Sequence, residues 1–299
     1  MEVFLKSLPA QIANGIIVGA IYGLIGLSML LISNVMKLVD LLRGDLAITG
    51  AYLCFWLSAL CGFPFAVSIT LAVPLTGVLG LVVERSVYRP LARRSHYAPL
   101  VAALGLSIAI QGALQLLFGP EMIGFEQTPP LLPKVAEWGL IRLSRLDVIL
   151  VLSFVLLTSL LHYFLTRTRL GLGLLAVADD EEASYSCGIA RNKVYSFSFF
   201  VASSIAGIVG ILYGLQYGLE PGAGFGLTIR AFIIASLAGS RGVLGAAIAG
   251  LALGVVESVC TGLLGANYRD SYTFLVLLVL LWIWPEGLFG RIQKRYARI

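Results

Sequence analysis

The segment TRTRLGLGLLAVADDEEASYSCGIARNKV, residues 166–194, is the longest polar stretch in an otherwise strongly apolar chain. Four consecutive acidic residues, 179–182, are flanked on both sides by basic residues. Aspartate is a favourable helix N-cap, glutamate is stabilising in the first helical turn, and glycine commonly follows a helix C-terminus. The pattern therefore predicts a short helix that begins at the acidic residues and ends at Gly188. We refer to residues 166–194 as the polar segment.

The composition around this segment is typical of a membrane protein. Hydrophobic residues make up 59% of the 299 residues, charged residues make up 12%, and the mean hydropathy is +0.93. A soluble domain has about 25% charged residues. Because lipid offers no partners to backbone amides and the apolar runs do not alternate, the spans are expected to be helices. We predict an all-α, polytopic membrane helix bundle of about eight transmembrane or half-membrane helices, with two weakly similar halves, forming one domain over residues 1–299.

The basic residues predict the orientation of the bundle. With the chain threaded from an outer N-terminus, fifteen of the 21 Lys and Arg residues fall on the side that holds the polar segment, the basic loop 84–97 and the C-terminal tail. Cytoplasmic loops carry an excess of Lys and Arg. The polar segment and the C-terminus are therefore expected in the cytoplasm of a bacterial cell whose inner membrane holds the protein. We interpret the net charge of +5 as topology and expect no nucleic-acid partner.

Several polar residues interrupt the apolar segments and are candidates for a translocation path. The stretch 33–53 carries charges that suit either a cytoplasmic turn or a broken helix that faces the interior. Its Arg43-Gly44 pair is matched by Arg241-Gly242 in the second half, and such paired interruptions indicate a substrate path in transporters. The short apolar run 227–239 predicts a half-helix or a helix that is sunk steeply into the membrane. The candidate path residues are Asp40, Gly44, Asp45, Ser107, Gln111, Gln115, Ser203, Ser204, Gln216, Ser240, Gly242 and Glu257.

Four of these candidates allow more than one interpretation. Ser107, Gln111 and Gln115 are four residues apart on one face of the predicted span 99–118. They suit either hydrogen bonds between helices or the lining of a path. An ionisable group at the centre of a membrane span costs roughly 2.5 kcal/mol or more, so Glu257 is expected to face protein or water. It is either functional or held by a neighbour such as Thr261.

Sequence motifs for catalysis and for cofactors are missing. There is no phosphate-binding loop of the Gly-x-x-x-x-Gly-Lys-Ser/Thr type, and the two histidines form no metal-binding pattern. The four cysteines lack metal-ligand spacing and are expected to be small buried side chains. We therefore expect that the chain is not an enzyme and does not hydrolyse ATP itself, and that it needs no cofactor and no metal.

Residues 168–194 resemble the most specific motif of a known family. They match a pattern of the form TRxGxxxRAVAxDxEAAxxxGI through Thr168, Arg169, Gly171, Ala176, Val177, Ala178, Asp180, Glu182, Ala183, Gly188 and Ile189. GAIYGLIGLSMLLI in the first span, LAGSRGVLGAAIAGLALGVVES, YRD and PEGLFGR add to the match. Over nearly its whole length, the chain resembles the branched-chain amino acid permease family of bacterial ABC importers, specifically the shorter of the two permease subunit types.

The resemblance implies a function and a set of partners. Residues 176–189 would be the coupling helix that sits in a groove of a separate ATPase subunit. A second permease subunit and an outer or periplasmic solute-binding protein would complete the importer in the lipid bilayer. The ATPase-coupling residues are expected to be Ala176, Asp179, Asp180, Glu182, Ala183, Ser184, Cys187, Gly188 and Ile189.

One departure from the family pattern keeps the cargo open. Where the family commonly has Asn-Phe-Ala-His-Gly-Glu, residues 40–45 read Asp-Leu-Leu-Arg-Gly-Asp. Branched-chain or related amino acids are the expected cargo, and urea, short amides or another small polar solute are the alternative. A channel or secondary transporter that works without ATPases is a second alternative; it would require ion-coupling carboxylates, which are scarce in the predicted spans.

Overall fold

The computed structural model describes residues 2–92, 97–125, 134–138, 141–239, 242–265 and 268–283. Nearly all of these residues are helical, which confirms the predicted all-α membrane bundle. Six described helical stretches are long and apolar enough to cross a membrane. They are α1 (Glu2–Met36); α3 (Phe65–Val83), which continues through a π-helical turn (Glu84–Tyr88) into α4 (Arg89–Ala92); α5 (Ala98–Phe118); α6 (Arg145–Arg167); α9 (Arg191–Tyr217); and α11 (Gly242–Leu264).

The remaining described helices are shorter. They are α2 (Arg43–Phe55), which ends in a π-helical turn (Trp56–Leu60), α7 (Arg169–Asp179), α8 (Glu181–Ser186), α10 (Ala223–Ala238) and α12 (Arg269–Ile283). Helix α10 has 16 residues, so it is about 24 Å long at 1.5 Å per residue. The hydrocarbon core is about 30 Å thick, so α10 is too short to cross it, as predicted for the run 227–239, although the helix starts earlier than that run.

Two connections between apolar helices contain regular structure. The stretch 84–97 was predicted as a basic loop, but it is helical through Ala92, because the π-helical turn carries the helix of α3 onward. The connection from α5 to α6 contains a hairpin of β1 (Lys134–Trp138) and β2 (Ile141–Ser144), antiparallel with Trp138 opposite Ile141. The hairpin leads directly into α6, where Ser144 and Asp147 cap each other's backbone N–H groups at 3.2 and 2.7 Å.

The described chain divides into two compact units that interleave along the sequence. Unit 1 comprises residues 1–27, 129–158 and 230–299, and unit 2 comprises residues 28–128 and 159–229. In unit 1, the glycines of α1 permit close helix packing. A Cβ atom at Gly19 would lie 2.8 Å from the Cα of Leu251 on α11, and one at Gly15 would lie 2.6 Å from the Cα of Val255. Only glycine allows backbones to approach this closely.

Unit 2 is built around the contact of α2 with α9 and of α9 with α3. A Cβ atom at Gly50 of α2 would lie 2.7 Å from the Cα of Gly207 on α9. A Cβ atom at Gly77 of α3 would lie 2.8 Å from the ring of Phe200 on α9. Close packing of these small residues buries the short helix α2, including its charged first residues. The break between α1 and α2 therefore directs Asp40, Arg43 and Asp45 to the protein interior, as one of the two predicted alternatives required, whereas Lys37 is exposed.

Candidate translocation and coupling sites

The polar segment folds into two helices, and its N-capping pattern works as predicted. The Asp180 carboxylate accepts hydrogen bonds from the backbone N–H groups of Glu182 and Ala183, both at 3.0 Å. Asp180 itself is extended, with φ −145° and ψ 107°, so α7 ends before it and α8 begins after it. The resemblance implied one continuous coupling helix over residues 176–189, and this prediction is wrong. Ala176 and Asp179 belong to α7, separated from α8 by the extended Asp180.

The C-terminal end of α8 is closed by Gly188. This residue has φ +84°, a left-handed conformation that favours glycine. The N–H of Ile189 donates to the carbonyl of Ser184 at 3.1 Å, and the N–H of Gly188 donates to that of Tyr185 at 2.9 Å. These two bonds form a Schellman motif, which satisfies the last carbonyls of the helix. Helix α8 has only six residues, and caps at both ends hold it in place.

The predicted coupling residues differ in exposure. Those on the open side of the two helices are Asp179, Asp180, Glu182, Ala183, Cys187 and Gly188, whereas Ala176 and Ile189 are partly buried and Ser184 is buried. Sequence reasoning left out Tyr185, which is 72% exposed on α8. A surface pocket of about 690 Å³ lies between α8 and the start of α9. Its lining residues are Glu181, Glu182, Tyr185, Ser186, Ala190, Arg191 and Asn192.

Helix α8 is tied to the start of α9 by an ion pair. Nη1 of Arg191 lies 2.5 Å from Oε1 of Glu181. Both members of the ion pair are partly exposed, at 48% and 36% of their side chains. An exposed pair of this kind stabilises a fold by about 0–1 kcal/mol, so it orients α8 against α9 more than it stabilises the fold.

The candidate path residue Asp40 lies in a buried ionic cluster of unit 2. We call Asp40, Arg43, Tyr88 and Ser203 the Asp40 cluster. Asp40 accepts hydrogen bonds from Nη2 of Arg43, from the hydroxyl of Tyr88 and, at 3.0 Å, from the N–H of Leu42. Nη1 of Arg43 donates to Oγ of Ser203 at 3.0 Å, and its guanidinium lies 5.7 Å from the centre of the Phe199 ring. Asp40 and Arg43 are both fully buried.

The candidates Asp45, Ser107 and Gln111 also meet, across α2 and α5. The Asp45 carboxylate accepts a hydrogen bond from Oγ of Ser107 and another, at 2.9 Å, from Nε2 of Gln111. Hydrogen bonding between helices, one of the two interpretations of this polar stripe, is therefore observed. Gln115, the third member of the stripe, is exposed on α5 instead. We call Asp45, Ser107 and Gln111 the Asp45 cluster.

Gly44 brings α2 and the start of α10 into backbone contact beside this cluster. Its N–H donates to Oγ1 of Thr228 at 2.8 Å, and a Cβ atom on Gly44 would overlap the carbonyl of Gly224. A Cβ atom on Gly224 would in turn lie 2.8 Å from the Cα of Asp45. Both positions therefore require glycine for steric reasons.

Glu257 occupies a second buried ionic cluster, inside unit 1. Its carboxylate accepts hydrogen bonds from Arg230, from the hydroxyl of Tyr22 at 2.8 Å and from Oγ1 of Thr273 at 3.1 Å. Thr261, the neighbour proposed from the sequence, donates to the backbone carbonyl of Glu257 and not to its carboxylate. We call Glu257, Arg230, Tyr22 and Thr273 the Glu257 cluster.

The other candidate path residues lie apart from these clusters. Oγ of Ser204 donates to the carbonyl of Phe200 at 2.8 Å on α9. Gln216 is partly buried near the end of α9, and Gly242 begins α11 with φ +64°. Ser240 lies outside the described residues.

Two sets of side chains differ from the sequence-based expectation. Arg43 and Arg230 were counted as basic residues of opposite membrane faces, but both are buried in ionic clusters. Because one of these arginines had been counted on each membrane face, leaving both out does not change the predicted excess of Lys and Arg on one face. The cysteines were expected to be buried, which holds for Cys54, but Cys61 and Cys187 are exposed. Both exposed cysteines lie at the ends of helical segments, where side chains face away from neighbouring helices.

Comparisons with known proteins agree with this architecture. The model of a family described as the permease component of a branched-chain amino acid transport system matches residues 11–284. The high-affinity branched-chain amino acid transport system permease protein BraD of Pseudomonas aeruginosa is 30% identical over 295 residues, covering 94% of this chain and 95% of the relative. The corresponding protein LivH of Escherichia coli K12 is 27% identical over 306 residues, covering 94% and 95%.

Two more distant similarities add less. One is to a permease that is named for another cargo, and the other is to a structure that shares the fold alone. The autoinducer 2 import system permease protein LsrC of Klebsiella pneumoniae is 30% identical over 207 residues, which cover 67% of this chain and 57% of the relative. A solved structure of PsaBC from Streptococcus pneumoniae, in complex with a Fab, aligns with a TM-score of 0.52 at 16% identity, covering 98% of this chain and 99% of that one. At this identity the likeness shows a shared fold only.

Proposed function

The chain belongs to the permease component family of branched-chain amino acid transport systems, as its motifs predicted, and from that premise we propose that it forms the translocation path of an ABC importer for branched-chain or related amino acids. It is a multi-pass membrane protein. Separate ATPase subunits would drive it from the cytoplasm, a second permease subunit would complete the path, and an outer solute-binding protein would deliver the cargo. The N-terminus would lie outside and the C-terminus in the cytoplasm.

The doubly capped helix α8 is the observation that carries the proposal. It presents Glu182, Tyr185 and Cys187 on its exposed side, next to a pocket shared with the start of α9. A helix this short is marginal in isolation, so caps at both ends indicate that its position matters. It would dock on the ATPase, and ATP-driven closure of the ATPase pair would displace it together with α9.

Reconstitution tests this docking. The chain is co-expressed with its ATPase subunits, and the ATPase that copurifies is quantified for the native protein and for Glu182→Arg. Charge reversal at the proposed contact is expected to reduce copurification at least tenfold. Glu121→Arg, at an exposed position in the turn after α5, makes the same charge change elsewhere and is expected to have no effect. Equal copurification for all three proteins would contradict docking through α8.

The polar path is proposed to include the Asp45 cluster together with Gln115, Ser204 and Gln216. Asp45 and its partners lie where α2, α5 and the start of α10 come together. Interrupted helices of this kind provide polar groups for a substrate in other transporters. The residues of the Asp40 and Glu257 clusters are almost fully occupied by one another, so we assign them to holding the helices beside the path.

The cargo is the finer part of the proposal. The names of the relatives BraD and LivH support branched-chain amino acids as the cargo, whereas LsrC is named for autoinducer 2 import. A competition experiment decides between the cargo classes. It measures the uptake of radiolabelled leucine into proteoliposomes that contain the full importer, in the presence of unlabelled valine, urea or acetamide. Competition by valine alone is the expected result. Competition by urea or acetamide would move the assignment to the small polar solutes.

Transport without ATPases is disfavoured by the state of the buried carboxylates. Asp40 is paired with Arg43, Glu257 with Arg230, and Asp45 is held by two neutral donors. An ion-coupled transporter needs a carboxylate that can bind and release its ion, and a carboxylate neutralised by a buried arginine is poorly suited to this. ATP-independent solute uptake by vesicles that contain this chain alone would contradict the proposal.

A second permease subunit would have an open helix face to pack against. On α5, Gly105, Ala109 and Ala113 are exposed at spacings of four residues. A Cβ atom on Gly105 or Gly112 would contact nothing within 4 Å. Small residues at this spacing allow close helix approach in membranes. Disulfide trapping between Ala109→Cys and cysteines placed on the partner permease tests this arrangement, with Val155→Cys on the exposed side of α6 as the control.

A further inference from the structure

The π-helical turn between α3 and α4 creates an ion pair that an α-helix could not form. Residues five apart on an α-helix are rotated by about 140°, whereas a π turn narrows this angle by taking more residues per turn. Here Nε of Arg89 lies 2.9 Å from Oε1 of Glu84, and Nη2 lies 3.0 Å from Oε2. Glu84 is completely buried, while 26% of the Arg89 side chain is exposed. The turn therefore places a buried, bidentate ion pair at this end of unit 2.

This ion pair is hydrogen-bonded to the beginning of α9. Nη2 of Arg89 donates to the carbonyl of Asn192 at 3.2 Å and to Oγ of Ser196 at 2.6 Å. Oγ of Ser196 donates in turn to Oε2 of Glu84 at 3.0 Å. Asn192 and Ser196 lie in the first two turns of α9, immediately after the polar segment's helix α8. Because Arg191 is paired with Glu181 of α8, any displacement of α8 reaches these contacts directly.

The same π turn reaches the buried start of α2 through Tyr88. The Tyr88 hydroxyl donates to Asp40, and its ring packs on Phe199 of α9 with centroids 5.2 Å apart. Asp40 holds Arg43, the first residue of α2, and also accepts from the N–H of Leu42. Tyr88 is 1% exposed, so water does not compete for this hydrogen bond. The π turn and the residue after it thus contact the first turns of α9 and, through Asp40, the first residue of α2.

We propose that Glu84, Tyr88 and Arg89 are positioning residues that transmit movement of the polar segment to α2, whose first turn carries Gly44 and Asp45. The proposal deepens the function assigned above and rests on it, since the movement is the one that ATPase docking would impose. The links are directional and largely buried, and they join elements far apart in sequence. A π turn is a single under-wound turn in an α-helix and often marks a functional site.

The test measures coupling in the full importer, reconstituted in proteoliposomes with its ATPase subunits and solute-binding protein. The readout is the number of solute molecules taken up per ATP hydrolysed. Tyr88→Phe keeps the ring on Phe199 and removes only the hydroxyl, and Arg89→Lys keeps the charge but cannot make the bidentate contact. Both substitutions are expected to lower the ratio at least fivefold while the ATPase still copurifies.

Tyr52→Phe provides a matched control. Tyr52 is another buried tyrosine, on α2 itself, whose hydroxyl has no hydrogen-bond partner among the described residues. Removing that hydroxyl is expected to leave the ratio unchanged. The double variant Tyr88→Phe/Arg89→Lys is expected to lose no more than the worse single variant, because two links of one chain fail together.

The outcomes separate this inference from the assigned function. If the native chain retains no ATPase at all, the assigned function fails. If the native importer couples normally and both single variants keep its ratio, the transmission role is wrong while the function stands. A drop of equal size in Tyr52→Phe, additive losses in the double variant, or loss of the ATPase from the Tyr88→Phe complex would each also overturn it, since each indicates a general packing role.

Discussion

Arg230 and Glu257 face each other inside unit 1 through two hydrogen bonds of 3.2 Å, one from Nε and one from Nη2. The guanidinium also lies 5.1 Å from the centre of the Tyr22 ring. Both side chains are less than 10% exposed. The pair is thus a desolvated ion pair whose remaining acceptor positions are filled by Tyr22 and Thr273.

Removing one member of this pair is expected to destabilise the protein strongly. Arg230→Met leaves the Glu257 charge buried without a cation, which costs about 3–5 kcal/mol. Adding Glu257→Gln removes the stranded charge and is expected to recover part of the loss. Thermal unfolding in detergent, followed by tryptophan fluorescence, measures both. A double variant that melts at or below the single variant would contradict the assignment of the pair as mutually compensating charges.

Gly44 is expected to tolerate no side chain. Gly44→Ala forces a methyl group into the carbonyl of Gly224, and overpacking of this kind costs about 1–3 kcal/mol. Solute uptake should fall as well, because α2 and the start of α10 must separate. Gly173→Ala on α7 has open space and gains helix propensity of about 1 kcal/mol, so it should be neutral or stabilising. Equal melting temperatures and uptake for the two variants would refute the steric argument.

The Asp180 cap is expected to hold α8 in the docking position. Asp180→Ala removes the acceptor for two backbone N–H groups, which costs about 0.5–2 kcal/mol of helix stability. Hydrogen exchange of the amides of residues 182–186 should accelerate, and copurification of the ATPase should weaken. Asp179→Ala removes the neighbouring carboxylate at the end of α7 and should leave the exchange rates unchanged. Identical exchange in both variants would show that the cap is dispensable.

The native cysteines offer a test of orientation. Cys61 follows the π turn at the end of α2, Cys187 follows α8, and both thiols are exposed. In single-cysteine variants of the full chain, a membrane-impermeant maleimide is expected to label Cys61 from outside intact cells. Cys187 should react only after the cells are opened. Labelling of Cys187 in intact cells would place the polar segment outside and remove the basis of the proposed docking.

The two ends of helix α8 could be predicted from the sequence, because each helix cap is formed by residues that lie within a few positions of one another. Asp180 caps a helix whose first free N–H groups are two and three positions away, and Gly188 ends it. The break before α8 follows from the same cap, since an N-cap residue is extended and must interrupt any helix before it. The helix α7 that precedes this break was not predicted from the polar pattern. The family motif spans both helices, so the resemblance could not show this break.

The sequence by itself determined that the chain is a membrane helix bundle, where its apolar segments lie and which polar residues they contain. These properties depend on composition and on spacing along one helix. Only the tertiary structure decided which polar groups meet. Arg43 pairs with Ser203 across 160 residues and Tyr88 reaches Asp40 across 48, and no local pattern encodes such partners. In an apolar interior an unpaired polar group is costly, so the packing of the helices selects the partner that each buried charge acquires.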